Sequence, residues 1–364
     1  MLPTASKSNH LFLSLFEAHG CTISEDVVDE YRRVAVLKSD SAILTIQQDP
    51  TIVLDTGRSG YTYAVVFHPD GIHLLSGGSH GIHRWLLADG QEVGKQAGMI
   101  VASICVSRDH KWIVCGAVQG ASVWDAELRE KVIDVERKNT VCAVDVSSDS
   151  TRFATGTAKE ASIWSISSGE RLVGTLRQDG GITGIKFSPN GEHIATACFT
   201  SGSIRVFDTH NGDKLITIES NITHQSILST LLAWSNDGKQ FFSASKDNKV
   251  GSFQVSTGPQ LAESQILSDD DENIGSIALS TNGKFLAAYA GHTISFLDTS
   301  TLSQINPVIR DSKTIRSIAL SPDSCYFANG RDDGKIDVCN LGSILPDFYG
   351  HFHASIWPPF CHPR

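Results

Sequence analysis

The chain has 364 residues, with 30 Lys and Arg against 40 Asp and Glu, which gives a formal net charge of −10. This acidic balance argues against nucleic acid as the main partner, because phosphate recognition relies on a basic face. No apolar run is long enough to span a bilayer, so no membrane partner is expected.

The eight cysteines form no Cys-x-x-Cys pair and no spacing typical of a disulfide framework. We therefore predict buried, reduced thiols and a cytoplasmic and/or nuclear location. Four residues near the C-terminus are metal-ligand types, but no second pair fixes a tetrahedral site among them. They are His351, His353, Cys361 and His362. We expect no metal and no cofactor.

Residues 1–50 are predicted to form an N-terminal arm outside the main domain. Apolar pairs at i, i+4 before Gly20 predict a short helix over 8–20. Ser24, followed by acidic residues, predicts a second helix over 24–31, and a linker completes the arm. Two interpretations stay open: the arm binds a partner, or it folds onto the domain that follows.

A five-residue pattern then recurs seven times. It reads apolar residue, Ser or His, a variable residue, Asp or Asn, and most often Gly or Ser. Successive copies begin 39 to 47 positions apart, and a period near 40 is typical of propeller blades. The copies are Phe67–Gly71, Val106–His110, Val146–Ser150, Phe187–Gly191, Trp234–Gly238, Leu279–Gly283 and Leu320–Ser324.

Each copy is interpreted as the first turn of a four-stranded unit. A strand with alternating apolar residues precedes the turn, and a strand of small residues follows it. Small residues there suit packing between neighbouring blades. The predicted fold is all-β: a single seven-bladed β-propeller of four-stranded antiparallel blades, with a short N-terminal helical arm and a disordered C-terminal tail.

The predicted propeller spans 51–345, and residues 346–364 form the tail. The segment 51–56 precedes the first strand of blade one, so we predict that it supplies the outer strand of blade seven. Pairing of this kind removes an open sheet edge. The competing segment 343–349 contains Pro346 and is a poorer member of a strand ladder.

The third strand of most units ends in a recurring short pattern, an apolar or aromatic residue followed by a polar one. The full Trp-Asp dipeptide occurs at Trp124-Asp125. On these residues and the seven turns, the chain resembles the WD-repeat family of β-propellers over roughly residues 50–345. Regular members of that family bury a hydrogen-bonded network of His, Asp, Ser or Thr, and Trp. Most of those positions hold other residues here, so we expect stability to come from hydrophobic packing between blades.

The resemblance implies a non-enzymatic scaffold or adaptor that binds proteins or peptides. They would dock on the narrow face, which is built from the loops entering each blade and the turns between second and third strands. The candidate partner-binding residues of this face are Arg58, His80, Arg137, Lys138, Lys159, Glu160, Lys246, Asp247, Asp269, Asp270, Asp271, Arg331, Asp332 and Asp333.

Two other functions are alternatives. The ring could be a structural spacer, detached from or acting within a larger assembly that contains an NTPase or adaptor. It could also be a propeller enzyme with a quinone-type cofactor. The enzyme is disfavoured because the tryptophan that follows the glycine in quinone-docking repeats is missing from 88–95 and from the other blades.

Overall fold

The computed structural model describes residues 50–57, 59–135, 139–198, 201–218, 231–244, 248–256, 260–266 and 274–345, with the backbone of 36–37 and 44–47. These residues form 30 strands and one short helix, α1 (Leu341–Ile344). Among the helices of the described chain, none is both long and apolar enough to cross a membrane.

Twenty-eight of the strands build seven blades of four antiparallel strands each. The first, innermost strands are β4 (Thr62–Phe67), β8 (Val101–Val106), β12 (Val141–Val146), β16 (Ile182–Phe187), β20 (Leu232–Trp234), β24 (Ile274–Leu279) and β28 (Ile315–Leu320). The second strands are β5 (His73–Gly78), β9 (Trp112–Ala117), β13 (Arg152–Thr157), β17 (His193–Cys198), β21 (Gln240–Ala244), β25 (Phe285–Ala290) and β29 (Tyr326–Arg331).

The third and outer strands complete each blade. The third strands are β6 (Gly81–Leu86), β10 (Gly120–Asp125), β14 (Glu160–Ser165), β18 (Ile204–Asp208), β22 (Lys249–Gln254), β26 (Thr293–Asp298) and β30 (Lys335–Asn340). The outer strands of blades one to six are β7 (Glu92–Gln96), β11 (Lys131–Val135), β15 (Leu176–Arg177), β19 (Lys214–Ile218), β23 (Gln260–Gln265) and β27 (Gln304–Arg310).

The outer strand of blade seven comes from the beginning of the chain. It is β3 (Ile52–Asp55), and it pairs antiparallel with β30, with Ile52 opposite Val338 and Asp55 opposite Lys335. Each innermost strand packs against that of the next blade, and β28 packs against β4. The ring is therefore closed, with its ends joined inside one blade. The segment after β30 forms α1 rather than a strand.

Two further strands precede β3. They are β1 (Val36–Leu37) and β2 (Leu44–Gln47), which pair antiparallel with each other. β2 also runs parallel to β27, with Thr45 opposite Val308, so blade six carries six strands. The linker expected in this part of the arm is therefore partly strand. The helices predicted over 8–20 and 24–31, and the tail 346–364, lie outside the described residues.

The core lies between blades rather than within them. One cluster joins Phe285 and Phe296 of blade six to Phe327 of blade seven, all three fully buried. The expected small residues line these contacts. A Cβ at Gly77 in β5 would stand 2.5 Å from Val101 Cγ1 of blade two, and one at Gly156 in β13 would stand 2.6 Å from Ile182 Cγ2 of blade four. Close packing between blades thus requires glycine at these two positions.

Part of the family network persists as pairs of residues. Trp85 Nε1 donates to Ser76 Oγ at 2.9 Å, and Trp164 Nε1 donates to Thr155 Oγ1 at 2.9 Å. In blade four, the Gln178 side chain donates to the hydroxyl of Thr196. The two tryptophan bonds each link two strands of one blade, and the Gln178 bond links the loop entering blade four to β17. None of them needs a complete four-residue set.

The six cysteines in the described residues carry thiols rather than disulfides. Five of them are buried, and Cys325 is half-buried. Burial raises the pKa of the Cys105 thiol well above its ordinary value. These thiols therefore behave as small apolar groups. Cys21 and Cys361 lie outside the described part of the chain.

Candidate functional site

The antiparallel blades give the ring two distinct faces. Loops that enter each blade and turns between second and third strands lie at one end, the narrow face. Turns between first and second strands, and between third and outer strands, lie at the other end, the opposite face. Polar and apolar side chains on these turns are available to partners, because the strands themselves are packed between neighbouring blades.

Six of the predicted narrow-face residues fall in the described chain: His80, Lys159, Glu160, Arg331, Asp332 and Asp333. All six lie at turns between a second and a third strand. The remaining eight lie outside the described residues: Arg58, Arg137, Lys138, Lys246, Asp247, Asp269, Asp270 and Asp271. The structure therefore places a six-residue subset of the predicted rim, spread over blades one, three and seven.

His80 and Glu160 are each held by a neighbour on their own blade or on the preceding loop. His80 Nε2 lies 2.6 Å from the carbonyl oxygen of Ser59, which fixes the loop entering blade one against the turn of that blade. Glu160 Oε1 accepts from Arg171 Nη2 at 2.9 Å. Lys159 is exposed at the same turn, so blade three presents an exposed cation beside a paired carboxylate.

Arg331 belongs to a buried ion pair rather than to the solvated rim. Its Nη1 donates to Asp337 Oδ2 at 2.8 Å and its Nη2 to Asp333 Oδ2 at 2.6 Å. The Asp337 side chain is 8 % exposed. Burial raises the pKa of Asp337, and Asp311 adds to that rise, while Arg331 lowers it. The guanidinium thus neutralises a buried carboxylate.

Three large apolar side chains are exposed on the narrow face of blades one and two. Tyr61 and Ile100 are the residues immediately before β4 and β8, and Val118 follows β9; they are 45 %, 49 % and 49 % exposed. The Val118 N–H donates to the Ile100 carbonyl at 3.2 Å, so these two residues adjoin. Sequence reasoning selected charged residues and missed this group, although bulky apolar residues at loop positions were a readable signal.

Arg316 extends the apolar group toward the centre of the ring. Its guanidinium lies 5.3 Å from the centre of the Tyr61 ring, and Tyr63 lies 5.6 Å from Tyr61, ring centre to ring centre. Tyr63, Arg316 and Ser317 also line a central cavity of about 40 Å³. That volume accommodates water rather than an organic cofactor, since small-molecule sites occupy about 300 Å³ or more.

The opposite face is regular in six blades. The serine after each innermost strand donates to the Asp or Asn two residues on, at 2.5–2.8 Å. The same hydroxyl accepts the backbone N–H five residues on, at 2.8–3.0 Å. These serines are Ser107, Ser147, Ser188, Ser235, Ser280 and Ser321.

Blade one departs from that arrangement. His68 replaces the serine, and its Nδ1 lies 2.9 Å from Asp70 Oδ2. His73 Nδ1 lies 2.7 Å from the same oxygen. Burial lowers the pKa of His68. Burial alone would raise the pKa of Asp70, but hydrogen bonds from His73 and from the Ile72 N–H lower it to about 2. Among the described residues, these three side chains are the group that could hold a metal ion.

Comparison with known proteins agrees with this architecture. The family described as WD domain, G-beta repeat matches residues 170–208, which lie in blades three and four. A crystal structure of the Cps50 (Swd1) β-propeller domain of Myceliophteria thermophila superimposes with a TM-score of 0.68 at 18 % sequence identity, covering 80 % of this chain and 98 % of that one. At this identity the likeness concerns the fold.

The chain is also similar to several curated proteins. Eukaryotic translation initiation factor 3 subunit I of Saccharomyces cerevisiae is 24 % identical over 67 % of this chain and 74 % of its own. The serine-threonine kinase receptor-associated protein of Gallus gallus is 28 % identical over 59 % of each chain. Small ribosomal subunit protein RACK1 of Brassica napus is 26 % identical over 42 % of this chain and 40 % of its own.

These relatives have different names and comparable identities, so they do not distinguish one member. The repeat pattern, the closed ring of seven four-stranded blades and the family match agree with one another. The chain folds as a seven-bladed β-propeller, and its repeats are similar to those of the WD-repeat family.

Proposed function

We propose that this protein is a non-enzymatic scaffold whose narrow face binds a peptide or domain of another protein. The observation that supports this most directly is the exposed group Tyr61, Ile100 and Val118. Exposed apolar side chains grouped within a polar rim are typical of protein interfaces, and tyrosine is enriched among the residues that dominate binding energy. The relatives named as initiation-factor and ribosomal-subunit proteins support a partner that is itself a protein.

The chemistry of the group indicates the kind of partner. An apolar side chain of the partner would pack between Tyr61 and Ile100, and a carboxylate beside it would meet Arg316, which is exposed and stacked over Tyr61. The predicted charged residues would form the rim around this contact and affect orientation and association rate more than affinity. In this proposal His80 and Lys159 are rim residues, and Arg331 is structural.

The proposal also covers the cellular location of the protein and its domain boundaries. Relatives named for translation favour the cytoplasm over the nucleus. We propose 51–345 as the propeller, preceded by an arm at 1–50 and followed by a tail at 346–364. A scaffold is preferred over an enzyme with a quinone-type cofactor, because the tryptophan of quinone-docking repeats is missing from 88–95.

Affinity purification from the native source, followed by mass spectrometry, tests the proposal. The intact chain is compared with Tyr61→Ser/Ile100→Ser and with the matched double variant Val93→Ser/Leu215→Ser. Val93 and Leu215 are exposed to similar extents, 45 % and 48 %, but they lie on the outer strands β7 and β19. A partner lost only with the first double variant supports the narrow face.

The same experiment separates the alternative functions. A partner retained by Tyr61→Ser/Ile100→Ser but lost when residues 1–34 are deleted contradicts narrow-face binding. That result places recognition in the arm and makes the ring a spacer. Arg331→Glu is unsuitable as a charge-reversal probe, because it would place a third carboxylate against Asp333 and buried Asp337 and disturb the fold itself.

A further inference from the structure

The turn of blade one is held by different side chains from the other six turns. In the other blades the serine hydroxyl accepts the backbone N–H five residues on. In blade one, Asp70 Oδ1 takes over that role: it accepts from the His73 N–H at 3.1 Å and from the Ile72 N–H at 2.9 Å. His68 Nδ1 also accepts the Asp70 N–H, in a long hydrogen bond of 3.3 Å. The second carboxylate oxygen of Asp70 faces the two imidazoles.

These remaining groups converge. His68 Nδ1 and His73 Nδ1 lie 2.9 Å and 2.7 Å from Asp70 Oδ2, and the three ligand atoms lie within 4.8 Å of one another. His68 is 3 % exposed, and its position is fixed by the end of β4. Ligand atoms of a four-coordinate zinc stand about 3.3 Å apart, given bonds of about 2.0–2.1 Å. Small side-chain rotations would thus open the group enough to admit an ion.

We propose that His68, Asp70 and His73 form a binding site for a divalent transition metal on the opposite face of blade one. Two imidazole nitrogens and one carboxylate oxygen are donors that suit Zn²⁺, Cu²⁺ or Ni²⁺. Ca²⁺ and Mg²⁺ require more oxygen ligands than this single carboxylate supplies. The site lies away from the narrow face and is independent of the proposed scaffold function.

Neighbouring residues define the rest of the site. Arg84 Nη2 lies 3.4 Å from both ring nitrogens of His73. Its positive charge opposes any cation at the site, so a metal held there must offset the repulsion by bonding to nitrogen. His110, from the equivalent turn of blade two, lies 5.5 Å from His68, ring centre to ring centre. Its position has positive φ, as do the Gly and Ser residues at that position in other blades. His110 therefore lies beside the site, on the neighbouring turn.

The repeat itself provides variants that should fold. His68→Ser introduces the residue of the six other blades, and Asp70→Asn introduces the residue found at Asn190 and Asn282, whose side chains hold their turns in the same way. His193→Gln is the matched control. His193 begins β17 as His73 begins β5, but it stands beside Ser188 and Asn190 rather than a second histidine and an aspartate.

The test is titration of the untagged, chelator-treated full chain with ZnCl₂ at pH 7, followed calorimetrically. We expect the wild type and His193→Gln to bind one more Zn²⁺ than His68→Ser and Asp70→Asn, or to bind it at least about 100-fold more tightly, since even partners behind the ligands contribute about 10- to 100-fold. Tail residues such as His351 and Cys361 are common to all four proteins.

Thermal melts with and without ZnCl₂ provide a second measurement. Zinc should raise the unfolding temperature of the wild type and His193→Gln more than that of the two site variants, because binding to the folded state stabilises it. Equal stoichiometry and affinity in all four proteins would overturn the proposal, as would no binding by the wild type. The site variants act on different residues, so one that failed to fold would leave the other informative.

Discussion

At the residue scale, the regular turns of the opposite face show how one hydroxyl can order five residues. Ser280 is fully buried; it donates to Asn282 Oδ1 at 2.8 Å and accepts the Phe285 N–H at 3.0 Å. Without that acceptor the buried N–H would lose a hydrogen bond that water cannot replace. The sequence pattern identified the Asp or Asn of this turn, and the serine contributes as much to its geometry.

Ser280→Ala should therefore lower the free energy of unfolding by about 1–3 kcal/mol, the cost of leaving a buried polar group without a partner. Thr281→Ala, one residue along in the same turn and exposed, should change it by less than about 0.5 kcal/mol. Urea titration of both variants measures the difference. Equal losses would show that the hydroxyl is not what stabilises the turn.

The turn aspartates also predict a pH dependence. The Ser235 hydroxyl and the Lys239 N–H lower the pKa of Asp237 below its ordinary value. The stabilisation it provides is thus complete above the pKa of the unfolded chain, about 3.9, and is lost as pH falls through the lower pKa of the folded state. Asp237→Asn should flatten the fall in unfolding temperature between pH 5 and pH 3.

Asn282→Asp is the reciprocal variant, since it introduces a carboxylate into an equivalent turn. It should make the same fall in unfolding temperature steeper. Parallel pH profiles for the wild type and both variants would contradict the role assigned to these carboxylates. Thermal unfolding followed by circular dichroism at several pH values gives the comparison.

The ion pair of blade seven predicts a larger loss. Arg331→Met leaves the buried Asp337 carboxylate without its cation and should cost about 3–5 kcal/mol, as expected for an uncompensated buried charge. Adding Asp337→Asn should recover part of that loss, because the neutral amide needs no counter-ion. A double-mutant cycle in urea measures the coupling. Strictly additive losses would mean that the two side chains act independently.

At the scale of elements, the contact between blades depends on a glycine in the second strand of most blades, which leaves room for the next blade. The corresponding positions of β5, β9, β13 and β29 are Gly77, Gly116, Gly156 and Gly330, and the first residue of the next innermost strand fills the space. Blade six holds Tyr289 at this position instead. Its hydroxyl donates to the Arg316 carbonyl of blade seven at 2.5 Å, so a large residue is accepted where it gains a partner.

Gly116→Ala should force blades two and three apart, because the new Cβ would stand 2.8 Å from the Val141 carbonyl oxygen. We expect a cost of about 1–3 kcal/mol, which is usual for overpacking a well-packed core. The control is Gly174→Ala, where the Cβ would meet nothing within 4 Å. Chemical denaturation should separate the two clearly, and an unchanged Gly116→Ala protein would mean that the interface yields without strain.

At the scale of the whole molecule, much of the fold could be predicted because the same sequence pattern occurs once in each of the seven blades. The period determined the blades, and the alternating apolar residues determined their strands. What repeats cannot reveal is what occurs once. The pairing of β2 with β27 occurs in blade six alone. The grouping of His68, Asp70 and His73 occurs in blade one alone. The role of Arg331 depends on Asp337, which lies on another strand.

The closing strand gives the prediction at this scale. A chain lacking residues 1–57 loses β3 and exposes the edge of β30, so it should self-associate. A chain lacking only 1–49 loses β1 and β2 but keeps β3, and it should retain the oligomeric state of the full chain. Size-exclusion chromatography with light scattering distinguishes them. Identical behaviour of both truncations would show that ring closure by β3 is dispensable.

The same closing strand has a consequence for synthesis. Asp55 of β3 finds its partner in Lys335, 280 positions later in the chain (335 − 55). At about 5–20 residues per second, a ribosome needs roughly 15 to 60 s to cover that distance. Throughout that interval β3 has been synthesised, but β30, the strand with which it pairs in blade seven, has not. The segment that leaves the ribosome before every blade is thus among the last to become structured.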